Sequence, residues 1–233
     1  MKTYTYVAIS KENKILRFGM DPESGKLTPL REIAIDEGPS VLAVDPDSRC
    51  LYVSLRASSE IASFQIDPMS GDLSLLGKIS LDADACYMAT DRNGKFLLSA
   101  HYSAGKVTVH PIGEDGAVSS EPVASNDTEP RPHCVMIDRS NRFVFVPHTL
   151  PTNAIYQFQF DEESGALTPG EVPKVTPEIP SGPRHILFHP EREICYTSDQ
   201  NGSCVTAYRL DSSTGMLRGF QTLWTLPEGY EGE

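Results

Sequence analysis

The sequence predicts an all-β protein built as a β-propeller, and three observations carry that expectation. One hairpin pattern returns five times at nearly constant spacing, a second hairpin precedes most of its copies, and no segment keeps a 3.6-residue apolar period for three turns.

The five copies are "ILRFGMDPESGKLTPL" from Ile15, "IASFQIDPMSGDLSLL" from Ile61, "VTVHPIGEDGAVSS" from Val107, "IYQFQFDEESGALTPG" from Ile155 and "VTAYRLDSSTGMLRGF" from Val205. Their turn glycines, Gly25, Gly71, Gly116, Gly165 and Gly215, stand 46, 45, 49 and 50 residues apart. Apolar and polar residues alternate on both sides of an Asp-x-x-Ser/Thr-Gly type of turn. This is the pattern of two half-buried strands joined by a hairpin whose glycine takes φ > 0. The second hairpin reads "SVLAVDPDSRCLYVSL", "CYMATDRNGKFLLSA", "HCVMIDRSNRFVFVP" and "RHILFHPEREICYTS". Two hairpins per repeat make four antiparallel strands, A to D from the axis outwards, and a repeated unit of that kind is a propeller blade.

Blades are expected over Pro39–Leu81, Ala85–Val123, Pro132–Val175 and Pro183–Leu226, with Tyr4–Ile35 supplying only strands B, C and D of the first. Residues 1–233 thus read as a single propeller domain of about five four-stranded blades, the first lacking its inner strand. Propellers close by completing the first blade from the far end of the chain. After the last D strand only "TLPEGYEGE" remains. The domain is therefore expected to be incomplete at its C-terminus, with open ends that favour self-association.

Charge narrows the partners. With 20 basic and 32 acidic side chains the formal charge is −12, which repels a phosphate backbone and argues against nucleic acid or an anionic membrane as partner. Cys50, Cys86, Cys134, Cys195 and Cys204 are odd in number and lack CxxC spacing, so they read as buried free thiols in a reducing compartment. The N-terminal "MKTYTYVAIS" has no long apolar core, and a cytoplasmic location is expected.

Superposing the repeats on the A–B turn residues Asp45, Asp91, Asp138 and His189 and counting back five positions gives Ser40, Cys86, His133 and Arg184 at the start of strand A. With period-two alternation these share one face, and Val41, Tyr87, Cys134 and His185 the other. Counting forward ten and eleven positions gives Leu55 and Arg56, His101 and Tyr102, His148 and Thr149, Asp199 and Gln200 at the end of strand B. Both sets are expected at one mouth of the channel, where Arg56, His101, His133, His148, Arg184 and Gln200 would make a basic, hydrogen-bonding pocket for a small anion. His189 fills an Asp slot and reads as a turn hydrogen-bonding residue. No GxSxG, HExxH, EF-hand or Walker motif is present, and no metal or other cofactor is expected.

"GPRHILFHPEREICYTS", the "VTAYRLDSSTGMLRGFQTLWTLPEGYEG" that follows it, and "PHCVMIDRSNRFVFVP" together resemble the seven-bladed propeller lactonases. That family includes propeller-type 6-phosphogluconolactonase and the fungal 3-carboxy-cis,cis-muconate lactonizing enzyme. The resemblance covers essentially the whole chain and implies a relative about two blades longer. It also implies catalytic roles for His133 of Pro-His and Arg184 of Gly-Pro-Arg-His, and a further arginine beyond Glu233. The family's Asn-Glu pair is Asp199-Gln200 here, so Gln200 stands where the family has its acid. Arg56, His101, Tyr102, His148, His185 and Asp199 complete the candidate substrate-binding set. The implied reaction is hydrolysis of an anionic sugar lactone, most plainly 6-phosphogluconolactone, with His133 as a base of ordinary pKa near 6.5. The alternatives are a carboxymuconate cycloisomerase of the same fold and a non-catalytic or truncated propeller scaffold.

Overall fold

The computed structural model describes residues 3–227 and 229–230 as five antiparallel sheets whose strand order follows the chain. Blade one has three strands, β1 (Thr3–Ile9), β2 (Lys14–Met20) and β3 (Leu27–Ala34). Blade two holds β4 (Pro39–Val44), β5 (Cys50–Leu55), β6 (Glu60–Ile66) and β7 (Leu73–Ser80), and blade three β8 (Tyr87–Thr90), β9 (Phe96–His101), β10 (Lys106–Pro111) and β11 (Ala124–Asp127). Blade four holds β12 (Met136–Ile137), β13 (Phe143–His148), β14 (Ala154–Phe160) and β15 (Leu167–Val175). Blade five holds β16 (Pro183–Phe188), β17 (Ile194–Asp199), β18 (Cys204–Leu210) and β19 (Leu217–Trp224). No helix among the described residues is long and apolar enough to cross a membrane.

The repeated hairpin turn is an Asp-anchored loop. In four copies the glycine N–H returns to the Asp carbonyl at 2.7–2.8 Å, and the Asp carboxylate accepts N–H groups two or three residues on. Backbone donors hold the carboxyls of Asp21, Asp67 and Asp161 below their ordinary range, and the Ser213 hydroxyl, followed by its N–H, does so for Asp211. Gly215 shows why glycine ends the turn. Its φ is +78°, and a Cβ there would lie 2.3 Å from Phe143 of the preceding blade.

Blade three departs from the expected boundaries for a local reason. Gly113 replaces the turn Asp, Gly116 N–H bonds Gly113 instead (2.9 Å), and Val118 makes only an isolated bridge to Ile112. The outer strand β11 therefore starts at Ala124, beyond the Val123 at which the blade was expected to end. The expectation of two half-buried strands per hairpin is also refined: the C strands β6, β14 and β18 are mostly buried, whereas the outer strands β3, β15 and β19 are mostly exposed.

Each apolar core lies between successive blades. Ile15, Leu51, Val53 and Phe64 fill the first interface, and Tyr52, Ile61, Met88 and Leu97 the second. Leu98, Val107, Val144 and Phe158 fill the third, and Phe145, Ile155, Ile186 and Tyr208 the fourth. Strands β5, β9 and β13, covered on both faces, are buried along their whole length, while β17 alternates. All five cysteines are free and buried.

One A–B turn Asp, Asp91, ties blade three to blade four. Asp91 Oδ1 accepts the N–H groups of Lys95 (2.7 Å) and Phe96 (2.9 Å), and its Oδ2 accepts Asn141 Nδ2 from blade four at 3.0 Å. Asn141 Oδ1 in turn accepts Arg92 N–H at 2.8 Å. His189, in the same slot of blade five, accepts N–H groups of Glu191 and Arg192 through Nδ1. Asp91→Ala would leave buried donors unpaired on both sides of the interface, and a loss of about 2 kcal/mol is expected. Urea denaturation measures it, and a midpoint within error of the unmodified chain would contradict the clamp.

Candidate active site

The starts of the inner strands meet across blades three, four and five. Arg184 Nε donates to His133 Nε2 at 3.0 Å, and the His133 ring lies edge-on to Tyr102 (5.6 Å between centroids) and to His185 (5.3 Å). Tyr87 reaches His185 at 5.7 Å, and Cys86 Sγ donates to the Pro132 carbonyl at 3.3 Å. His133, Arg184, His185 and Tyr102 are all half-buried.

A bulge explains why neighbouring residues converge. Pro183 pairs with Asp199 but His185 with Ser198, so the inner strand carries one extra residue, Arg184. The same offset recurs between Pro39↔Leu55 and Leu42↔Val53, and between Pro132↔His148 and Met136↔Phe145. The strict alternation expected from the sequence fails at this position. Arg184 and His185 both turn toward His133 instead of to opposite faces.

Just ahead of the bulge the chain takes a left-handed residue: Gly38 (φ 65°), Arg131 (φ 67°) and Gly182 (φ 63°). Its carbonyl accepts the N–H of the residue that ends the B strand's return, Arg56 (3.2 Å), Thr149 (3.2 Å) and Gln200 (2.9 Å) respectively. A Cβ on Gly182 would sit 2.1 Å from Asn201 Oδ1, so glycine is required there.

The two strand-B slots separate. Tyr102, Arg56 and Gln200 are half-buried or exposed at the mouth, with Arg56 paired to Asp84 at 3.2 Å. His101, His148 and Asp199, expected beside them, are instead buried inside the blades. His101 uses both ring nitrogens, on Ala83 O (3.0 Å) and Thr108 Oγ1 (2.9 Å), and His148 uses Nε2 on Thr128 Oγ1 (3.0 Å). Asp199 Oδ2 accepts the Thr206 hydroxyl at 2.6 Å. Period-two geometry sends one of two adjacent residues to the interior, so these three hold the blades together.

Electrostatics set the state of the cluster. Burial, then the Arg184 charge, pushes the His133 pKa down to about 4, and the same two causes lower His185. The expectation of a base with an ordinary pKa is thereby corrected. A guanidinium only donates, so Nε2 of neutral His133 is the acceptor and Nδ1 carries the proton, buried without a partner. Burial pushes the Cys86 thiol up to about 11, which leaves it a protonated donor. Arg184 forms no ion pair among the described residues, and its two Nη groups remain for an anion. Sequence reasoning missed Arg131, whose guanidinium lies over the Tyr102 ring at 6.0 Å. Its signal in the repeat is partial: glycine fills the equivalent positions of blades two and five, Gly38 and Gly182, but blade three has Asp84.

The family description "Lactonase, 7-bladed beta-propeller" matches residues 2–233. The chain belongs to the seven-bladed β-propeller lactonase family. Among lactonase relatives, a 6-phosphogluconolactonase of Yersinia pestis is 32% identical over 232 residues, covering 100% of this chain and 68% of that protein. A 6-phosphogluconolactonase of Pectobacterium carotovorum is 36% identical over 138 residues, 59% of this chain and 41% of the relative. In architecture the lactonase chain is similar to a periplasmic gluconolactonase of Pseudomonas aeruginosa, with TM-score 0.88 at 24% identity over 100% of this chain and 70% of that one.

Proposed function

We propose that the chain hydrolyses a sugar lactone, with 6-phosphogluconolactone as substrate, and that the Arg184–His133 contact is the catalytic pair. The observation that carries this reading is an arginine with no carboxylate partner among the described residues, in an acidic chain, donating to a histidine at the meeting point of three blades. Relatives named 6-phosphogluconolactonase support the choice of substrate over a carboxymuconate.

Hydrolysis adds water to the lactone carbonyl, places negative charge on its oxygen, then breaks the ring C–O bond. Arg184 is suited to the oxyanion, because its Nη edge offers two parallel donors. Nε2 of His133 takes the proton of the attacking water once the guanidinium turns to the substrate, and returns it to the ring oxygen that leaves as alkoxide. Negative charge on Arg184 offsets one cause of the depressed His133 pKa, so substrate binding strengthens the base. Gln200, exposed and without a transferable proton, leaves His133 as the proton carrier of this set. Five reduced, buried thiols are in keeping with a cytoplasmic setting.

Lactones open spontaneously, so the decisive measurement is NADP-coupled turnover of freshly made 6-phosphogluconolactone against the buffer rate. The unmodified chain is expected to exceed that rate and His133→Ala to fall back to it. Equal rates for both proteins would overturn the reading.

A further inference from the structure

Arg131 stands in a position that blades two and five fill with glycine, while blade three has Asp84 there. The equivalent residues before the bulge are Gly38 and Gly182, and all three have φ between 63° and 67°. Left-handed backbone is unfavourable for a residue with a Cβ, and such strain is retained where the side chain has work to do. Arginine keeps the strained conformation here although glycine precedes proline at both equivalent sites, Gly38-Pro39 and Gly182-Pro183.

The side chain is held at the mouth. Arg131 Nη1 donates to the Leu150 carbonyl at 2.8 Å, and the guanidinium covers Tyr102, the ring that lies edge-on to His133. Arg131 is exposed and makes no ion pair among the described residues, in a chain with 32 acidic side chains. Arg56, also at the mouth, is already neutralised by Asp84. Two unpaired guanidinium groups therefore flank His133, Arg184 in direct contact and Arg131 one aromatic ring further out. That spacing suits a ligand with a reacting group at one end and a separate anion at the other.

We infer that Arg131 is a specificity-determining residue that binds the remote phosphate of the substrate, while Arg184 attends the reacting carbonyl. This rests on the lactonase reading for the identity of the ligand but not on turnover. The phosphate takes the free Nε and Nη2 edge of Arg131 as a paired set of donors, and the Leu150 contact keeps that edge in place.

Calorimetric binding of the open-chain acids, 6-phosphogluconate and gluconate, tests it with three proteins. Arg131→Gly is expected to weaken 6-phosphogluconate at least about tenfold, with gluconate unchanged. Its thermal midpoint should be equal to or above that of the unmodified chain, because glycine removes the strain. Arg131→Gln keeps a Cβ in the same backbone, so an equal loss of phosphate affinity in Gln and Gly variants assigns the effect to the guanidinium. Failure of the unmodified chain to prefer 6-phosphogluconate, or an equal loss for both acids, overturns the inference. If the preference holds and depends on Arg131 while no lactone is turned over, the catalytic reading falls and this one stands.

Discussion

Arg184→Met is expected to lower kcat/KM for lactone hydrolysis about a thousandfold and to raise the pH at which activity is lost on the acid side. The rate effect follows from removing a charged donor pair aimed at a developing oxyanion, where loss of even one neutral donor costs a factor of about 10² to 10³. The pH effect follows from the contact at 3.0 Å between Arg184 Nε and His133 Nε2. A base acts when deprotonated, and kcat/KM reports the free protein. With His133 held down to about 4 by burial and by Arg184, the profile of the unmodified chain should be flat from neutrality to about pH 5. Methionine fills similar space without the charge, so the burial contribution stays and the acid limb moves up toward the ordinary value near 6.5. Unphosphorylated gluconolactone is the substrate of choice, since a phosphate ionises near pH 6 and would add its own limb. Arg184→Lys separates charge from shape: the limb stays low, but the rate still falls because an ammonium cannot hold the imidazole and present two further donors together. An unmoved limb in the methionine variant would show that Arg184 does not tune His133.

The architecture was legible because it is periodic. Five glycine-ended turns, four of them Asp-anchored, and four preceding hairpins are local patterns, and each maps onto strands that lie within a few residues of the expected positions. Among the described residues the first blade has the three strands expected from Tyr4–Ile35, with β1 at its inner edge paired to β2. The site was legible in part. Counting back from Asp138 and His189 selects His133 and Arg184, and the structure places them in contact. What counting cannot register is a bulge, because one extra residue on the inner strand changes which side chains face each other without changing the sequence period. Nor can it choose between adjacent strand-B positions: Tyr102 reaches His133, whereas His101 turns inward to Thr108. Polar type misleads here, because a buried histidine with both nitrogens bonded looks the same in sequence as a catalytic one. Arg131 escaped for the opposite reason, since its meaning lies in backbone φ, which only comparison with Gly38 and Gly182 exposes.

Those inward histidines carry the second large effect, a steep fall in stability between pH 6.5 and 4. His148 is fully buried, bonds Thr128 through Nε2, and has its pKa pushed down to about 4, chiefly by burial. Burial likewise lowers His101 and His110. In the unfolded chain a histidine titrates near 6.5, so above that pH both states are neutral and the full stability is present. As the pH falls toward 4 the unfolded state takes a proton that folded His148 refuses, and stability drops by up to about 1.4 kcal/mol per pH unit for each such residue. Over the whole window His148 alone accounts for roughly 3 kcal/mol, a large share of the roughly 5–15 kcal/mol that usually separates folded from unfolded domains. Exposed Asp turns whose carboxyls are held low lose their contribution only below about pH 5, so the two sets are separable between pH 6.5 and 5. Urea midpoints between pH 7.5 and 4.5 measure the slope. His148→Gln can keep a hydrogen bond to Thr128 but does not titrate, and its slope between pH 6 and 5 should be shallower by about one proton's worth, whatever its stability at pH 7.5. The same slope in the variant and the unmodified chain would mean that His148 is protonated in the folded state, and that the interior around Thr128 is wetter than its packing indicates.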